Sequence, residues 1–239
     1  MADEQPIRLQ VYLARAGIGS RRACEQLIDH RRVAVNGETV SRQGVKVFTS
    51  DRVTVDGKPV NPTSKSVYIA LHKPVGFVCS NYDPEGRPLA VELLRARFPM
   101  RIFPVGRLDM NSSGLILFTN DGDFAQAVAH PSNEVEKEYE VQTKKPVTDE
   151  FIERCLAGVR VNGVEYRFEG IRRAGGRSLR VRLIEGKNRE LRTVFDESGF
   201  GTKRVHRIRI GRVGLKGLAP GRFRQLTKGE RSSLLGGEV

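Results

Sequence analysis

Segments that alternate apolar and charged residues are interleaved along this chain with segments of helical spacing, and no regular strand–helix–strand repeat joins them. Residues 178–183 (SLRVRL) set Leu179, Val181 and Leu183 against Arg180 and Arg182. Successive strand side chains point to opposite faces, so this spacing predicts a half-buried strand. Further strands are expected over 67–71, 101–105 and 114–119, around Tyr139 and Val141, and over the basic stretch 204–213. Helices are expected over 89–98, 123–129 and 188–198, and from the Thr148 cap to the Gly158 stop. Asn162-Gly163 marks a hairpin. Such a mixture predicts an α+β fold with a largely antiparallel mixed sheet flanked by helices. No internal repeat is present.

The N-terminal part reads as a separate small unit. Residues 8–16 (RLQVYLARA) place Leu9, Leu13 and Ala16 at helical spacing with Tyr12 alongside. Gly17 stops that helix, and Gly19-Ser20 caps a second over residues 21–30. Short strands follow at 32–35, with Asn36-Gly37 as the turn, and at the Val45/Val47 and Val53/Val55 pairs. Arg8, Arg15, Arg21, Arg22, Arg31 and Arg32 accompany the two helices; they suit either a solvated basic face or contacts to RNA phosphates. Pro59, Pro62, Thr63 and Ser64 mark a linker. The expected domains are 7–62 and 66–235.

Composition narrows the function classes. Hydrophobic residues make up 38% and charged residues 29% of 239, a globular balance. No apolar run reaches the roughly 18 residues that cross a bilayer, and Met1-Ala2-Asp3-Glu4-Gln5 lacks a signal-peptide layout, so a cytoplasmic protein is expected. Cys24, Cys79 and Cys155 form neither a paired motif nor a disulfide framework, and the four histidines have no metal-ligand spacing. The net charge is +13, and residues 186–239 alone carry 13 basic against 5 acidic side chains. Without an amphipathic basic helix bearing bulky apolar anchors, the charge points to nucleic acid rather than a membrane.

Several short motifs have ordinary explanations. Gly214-Leu215-Lys216-Gly217 matches a GXXG loop but lacks flanking KH helices, so a strand-end loop fits better. Asp121-Gly122-Asp123 reads as a turn and helix cap, since no further acidic ligands follow at calcium-loop spacing. Asn111-Ser112-Ser113 is a formal glycosylation sequon, irrelevant in a cytoplasmic protein. There is no Walker A loop and no G-x-G-x-x-G fingerprint. Asp109 within Val105-Gly106-Arg107-Leu108-Asp109 stands out: a carboxylate two residues after an arginine, in a loop whose glycines let a ligand approach. Taken singly it is a turn or cap residue as readily as a catalyst.

Three segments together change that weight. Val105-Gly106-Arg107-Leu108-Asp109 resembles the active-site motif of the pseudouridine synthases. Glu136-Lys137-Glu138-Tyr139-Glu140-Val141 resembles their tyrosine motif, and Glu185-Gly186-Lys187-Asn188-Arg189-Glu190-Leu191-Arg192 their third motif. Residues 8–37, with Ala16-Gly17-Ile18-Gly19-Ser20-Arg21-Arg22, resemble an S4 RNA-binding domain. The order of these motifs, with Lys73-Pro74-x-Gly76 between the first two parts, is similar to the RsuA/RluB/RluE/RluF group over about residues 7 to 228. The resemblance implies that Asp109 is the essential carboxylate and that Arg192 pairs with it and keeps it ionised. It implies that Tyr139 stacks on the target base and serves in proton transfer, that Leu191 packs against the pocket, and that Arg107 helps hold the flipped nucleotide or its phosphate. Singly, Tyr139 reads as a sheet residue, Leu191 as core, and both arginines as surface phosphate contacts or solvated charges.

The implied reaction is isomerisation of one uridine in rRNA, requiring no metal or other cofactor. The aspartate would act as nucleophile or by proton abstraction and charge stabilisation. The expected partner is rRNA, in free or partly assembled subunits, bound by a monomer. Asn81–Pro88 looks most like the large-subunit RluB type and Glu136–Phe151 closer to the RluF type. A small-subunit enzyme of RsuA type, or a non-catalytic S4-containing RNA-binding or ribosome-assembly protein, are the competing readings. A carboxylate-based hydrolase lacks a convincing second acid.

Overall fold

In a computed structural model the described residues are 5–62 and 65–237, and they form two compact units. Met1–Glu4, and Thr63 and Ser64 of the expected linker, lie outside the described residues.

The first unit takes in the chain up to Ser66 together with Pro99–Arg101. Helices Leu9–Arg15 and Arg21–Asp29 pack Leu9, Tyr12, Leu13, Cys24 and Ile28 against Val33, Val47, Val53 and Val55. Ser20 caps the second helix by accepting from the Ala23 amide at 3.1 Å. A four-stranded sheet runs in the order Glu38–Val40, Val33–Val35, Val53–Val55, Lys58–Pro59. Its outer hairpins turn at Asn36-Gly37 and Asp56-Gly57, all four residues at positive φ. Turns of that kind match the right-handed twist of paired strands, and Asn-Gly and Asp-Gly are the pairs that tolerate them.

The second unit is built on a nine-stranded mixed sheet. Its long strands are β1 (Tyr68–Lys73), β2 (Ser113–Thr119), β3 (Lys137–Thr143), β4 (Ser178–Leu183) and β5 (Thr202–Ile210). The spatial order is Gly170–Arg173, β4, β3, β5, β2, β1, Phe223–Gln225. Every pairing in this sheet is antiparallel except β5 with β2, where His206 faces Ser113 and Arg207 faces Gly114. β2 is buried along its whole length and reads as a near-continuous apolar run. Ala70, Leu115, Leu117, Phe124 and Val128 make a core under helix Gly122–Ala129, which Asp121 caps through the Asp123 and Phe124 amides. Helices Asp149–Ala157 and Glu190–Glu197 contribute Phe151 and Phe195 to a second aromatic contact, with ring centroids 5.9 Å apart.

Three expectations need correction. The helix predicted over 89–98 is α-helical only at Glu92–Arg95. Ala90 donates to the Val78 carbonyl and Val78 to that of Pro88, so the chain is tied to a neighbouring segment before the helix can start. The basic stretch 204–213 is not one strand. β5 ends at Ile210, Gly211 turns at φ +53°, and Val213–Gly214 folds back on Arg209 and Ile210. The strand expected from residue 101 begins at Phe103. A C-terminal helix, Lys228–Leu234, was not foreseen, although Thr227 and Glu230 form a capping box.

Candidate active site

A cavity of about 520 Å³ opens on one face of the large sheet. The loop after Phe103–Val105 supplies one wall. Gly106 turns there at φ +72°, and the Asp109 carbonyl accepts from the Ser112 amide at 3.0 Å. The loop is held from beneath by Lys73, which is wholly buried and donates to the carbonyls of Pro74, Phe77 and Met110 at 2.9, 2.9 and 3.3 Å. Burial pulls the Lys73 ammonium below its ordinary pKa, a tendency the neighbouring Asp109 charge opposes.

The opposite wall is the segment Gly186–Arg192. Arg189 enters helix Glu190–Glu197 at φ +51°, an uncommon conformation for a long side chain. Glu190 returns its carboxylate to the Lys187 amide at 3.0 Å; burial pushes that carboxyl up despite the amide bond. Leu191 is buried against the cavity. Arg192 sends Nη2 to the Asn111 carbonyl at 2.8 Å and brings Nε to 3.9 Å from Asp109 Oδ2. That separation is an ion pair rather than a hydrogen bond. Arg192 Nε is buried with no hydrogen-bond partner.

The floor comes from the sheet. Lys137 and Tyr139 of β3 and Val205, Arg207 and Ile210 of β5 all line it. Lys137 Nζ donates to the Ile184 carbonyl at 2.8 Å, and burial, then the Arg207 charge, depress its pKa. Arg207 is 4% exposed. Its Nε donates to the Leu115 carbonyl at 2.7 Å, and Nη1 lies 3.4 Å from both the Arg107 carbonyl and the Tyr139 hydroxyl.

The structure therefore brings Asp109, Tyr139, Leu191, Arg192 and Arg107 to one cavity, with Arg107 exposed beside it. Six cationic side chains line the cavity (Arg107, Lys137, Lys187, Arg189, Arg192 and Arg207) against the carboxylates of Asp109 and Glu190. Sequence reading missed Arg207. Strict alternation along β5 puts residues 207 and 209 on the same face, but the register slips at Glu138/Tyr139: Tyr139 pairs with Arg207 and Glu138 with Arg209. The extra residue, Ile208, turns the two arginines to opposite faces. Of the arginines expected at the N-terminus, Arg8, Arg21, Arg22, Arg31 and Arg32 are exposed and Arg15 is half-buried. Arg32 is held in a two-bond pair with Asp56, at 2.8 and 2.5 Å.

The cationic cavity with its aspartate–arginine pair suits an anionic substrate. The RNA pseudouridylate synthase family matches residues 67–197 and the S4 domain family residues 7–53. A chain solved as "Crystal structure of pseudouridylate synthase" superposes with a TM-score of 0.71 at 25% identity, over 95% of this chain and 99% of that one. A Borreliella burgdorferi protein named "Uncharacterized RNA pseudouridine synthase" is 38% identical, over 95% of this chain and 92% of its own length. "Ribosomal large subunit pseudouridine synthase B" of Pseudomonas aeruginosa is 40% identical over 93% of this chain, which spans 60% of that relative's length. The same-named protein of Yersinia pestis is 39% identical over 92% of this chain and 72% of its own length. The chain belongs to the RNA pseudouridine synthases and carries an N-terminal S4 domain. No helix among the described residues is long and apolar enough to cross a membrane.

Proposed function

We propose that this enzyme converts one specific uridine of large-subunit rRNA to pseudouridine in the cytoplasm, acting as a monomer on free or partly assembled subunits. Residues 7–62 serve as the RNA-binding domain and 66–235 as the catalytic domain. The observation that carries the catalytic assignment is the Asp109–Arg192 pair, two residues 83 positions apart that meet at 3.9 Å on a cavity also lined by Tyr139.

In the reaction the C1′–N1 bond of uridine breaks, the freed uracil turns, and a C1′–C5 bond forms. The C5 proton is lost and N1 regains one, so the change is an isomerisation. Asp109 supplies the carboxylate, as nucleophile or as proton acceptor and charge stabiliser. Arg192 sets a positive charge beside it while leaving its oxygens free, which the 3.9 Å contact permits. Tyr139 offers the uracil a ring face and a hydroxyl, Leu191 an apolar wall, and Arg107 a cation for the phosphate beside the extruded nucleotide. Extrusion costs a few kcal/mol of stacking and pairing, so a loop or loosened helix is the favoured target. The cationic lining and the exposed Arg8, Arg21, Arg22 and Arg31 support phosphate contacts, and affinity should fall steeply with salt.

The test uses rRNA from a strain lacking the protein, with new pseudouridines mapped by chemical modification and primer extension. Wild type should modify one uridine of large-subunit rRNA. Asp109→Asn should bind that RNA and form no pseudouridine. Retained activity in this variant would sink the assignment, and a site in small-subunit rRNA would move the substrate.

A further inference from the structure

Arg207 is the feature of the cavity that ion pairing does not account for; its guanidinium carbon lies 5.9 Å from the centroid of the Tyr139 ring. A guanidinium removed from water costs several kcal/mol unless a carboxylate or a full set of acceptors meets it. Among the described residues no carboxylate ion-pairs with Arg207. Its acceptors are two carbonyls and one phenol, and Nη2 is buried with no partner at all. Nearby arginines of the same sheet are treated differently: Arg209 meets Glu136 and Glu138, and Arg180 meets Glu140.

The placement is specific. Arg207 lies beside Gly114 in the parallel pairing of β5 with β2, where a Cβ on Gly114 would stand 2.1 Å from the Arg207 carbonyl oxygen. The backbone is thus seated as deep as glycine allows. From there Nε fastens the side chain to β2, while Nη1 reaches one wall and the floor of the cavity. The wall is the loop that carries Asp109, reached at the Arg107 carbonyl. The floor is β3, reached at the Tyr139 hydroxyl.

We propose that Arg207 is a positioning residue that fixes the Tyr139 hydroxyl and the Asp109 loop relative to one another. The inference rests on the pseudouridine synthase reading of this cavity. A phenol oxygen that accepts from Arg207 must turn its own proton elsewhere, and Tyr139 lines the cavity. Lysine keeps the charge at position 207 but has no fork, so it cannot serve Leu115, Arg107 and Tyr139 together.

The experiment is a double-mutant cycle of Arg207→Lys with Tyr139→Phe, read by single-turnover pseudouridine formation at saturating RNA. Arg207→Lys should slow the step by about 10- to 100-fold, the range for a hydrogen bond to a charged group, with RNA affinity within about twofold. In the Tyr139→Phe background the same change should cost less than about threefold, because its target is gone. Arg207→Gln runs in parallel in case the lysine variant does not fold. An activity-independent reading comes from ¹³C-labelled tyrosine: the Tyr139 Cζ resonance, assigned by its loss in Tyr139→Phe, should move in Arg207→Lys while the other four tyrosines stay. Equal losses in both backgrounds, or an unmoved Tyr139 resonance, overturn the proposal. If wild type forms no pseudouridine, the functional reading fails, and the resonance alone decides for or against the contact.

Discussion

The two faces of the sheet around β3 handle charge in opposite ways. On one face Glu136, Glu138 and Glu140 alternate down the strand and meet Arg182, Arg209 and Arg180 of the neighbouring strands. On the other face Lys137 and Tyr139 meet Arg207, and carbonyls and a hydroxyl stand where carboxylates would close the pairs. Partly exposed ion pairs of the first kind hold register and contribute little each. Cations of the second kind cost stability, and in place of a carboxylate Arg207 has Leu115, Arg107 and Tyr139 as partners. A third solution lies beside them: His206, buried against His72 and Ser113, gives up its charge.

The contrast can be broken or sharpened by substitution. Gly114→Ala should be the most damaging change, by about 4 kcal/mol or more, because its Cβ would overlap the Arg207 backbone and its φ of +112° disfavours any side chain. Chemical denaturation should show the second unit lost or barely folded. Arg192→Leu should lower pseudouridine formation about 10²- to 10³-fold, equivalent to about 3–4 kcal/mol. Its melting temperature should hold or rise, since a buried Nε without a partner is removed. A matching fall in stability would place Arg192 with the structural charges.

Acidification gives the next effect. Burial first, then the Arg204 charge, push the His206 pKa down from 6.5 to about 4. The unfolded chain therefore takes up this proton below pH 6.5 while the folded one does not, so the stabilisation is complete above pH 6.5 and lost as pH falls to about 4. The contribution is of order 2–3 kcal/mol. Denaturant midpoints across that window should fall less in His206→Gln; an unchanged slope would assign the acid lability elsewhere. Smallest is Glu138→Gln on the paired face, expected to cost about 1 kcal/mol in urea unfolding and to leave pseudouridine formation unchanged.

Legibility in the sequence divided along physical lines. Strand β4 announced itself because one face is buried and one is charged, so the period of two survives in Leu179, Val181 and Leu183. Asn162-Gly163 fixed its own hairpin through two positive-φ positions. Leu89–Phe98 failed because its apolar residues are buried by a turn tied to Val78, and burial looks alike in a turn and a helix. Asp109 and Arg192 were joined by family resemblance alone, since nothing local links residues 83 apart. Arg207 was hidden by a bulge at Ile208, which breaks the period of two along β5 and shows only in the pairing with β3.

The position of β5 has a consequence for how the enzyme is made. It is the last long strand in the chain, yet it lies in the middle of the sheet, between β3 and β2. While residues 202–210 are still unsynthesised, β3 lacks a partner along one edge, and Ser113 and Gly114 of β2 lack theirs. Parallel, long-range pairing is slow to form, and exposed edges invite association with other chains. Until β5 is in place the cavity also lacks Val205, Arg207 and Ile210, so one insertion both joins the two halves of the sheet and supplies that part of the floor.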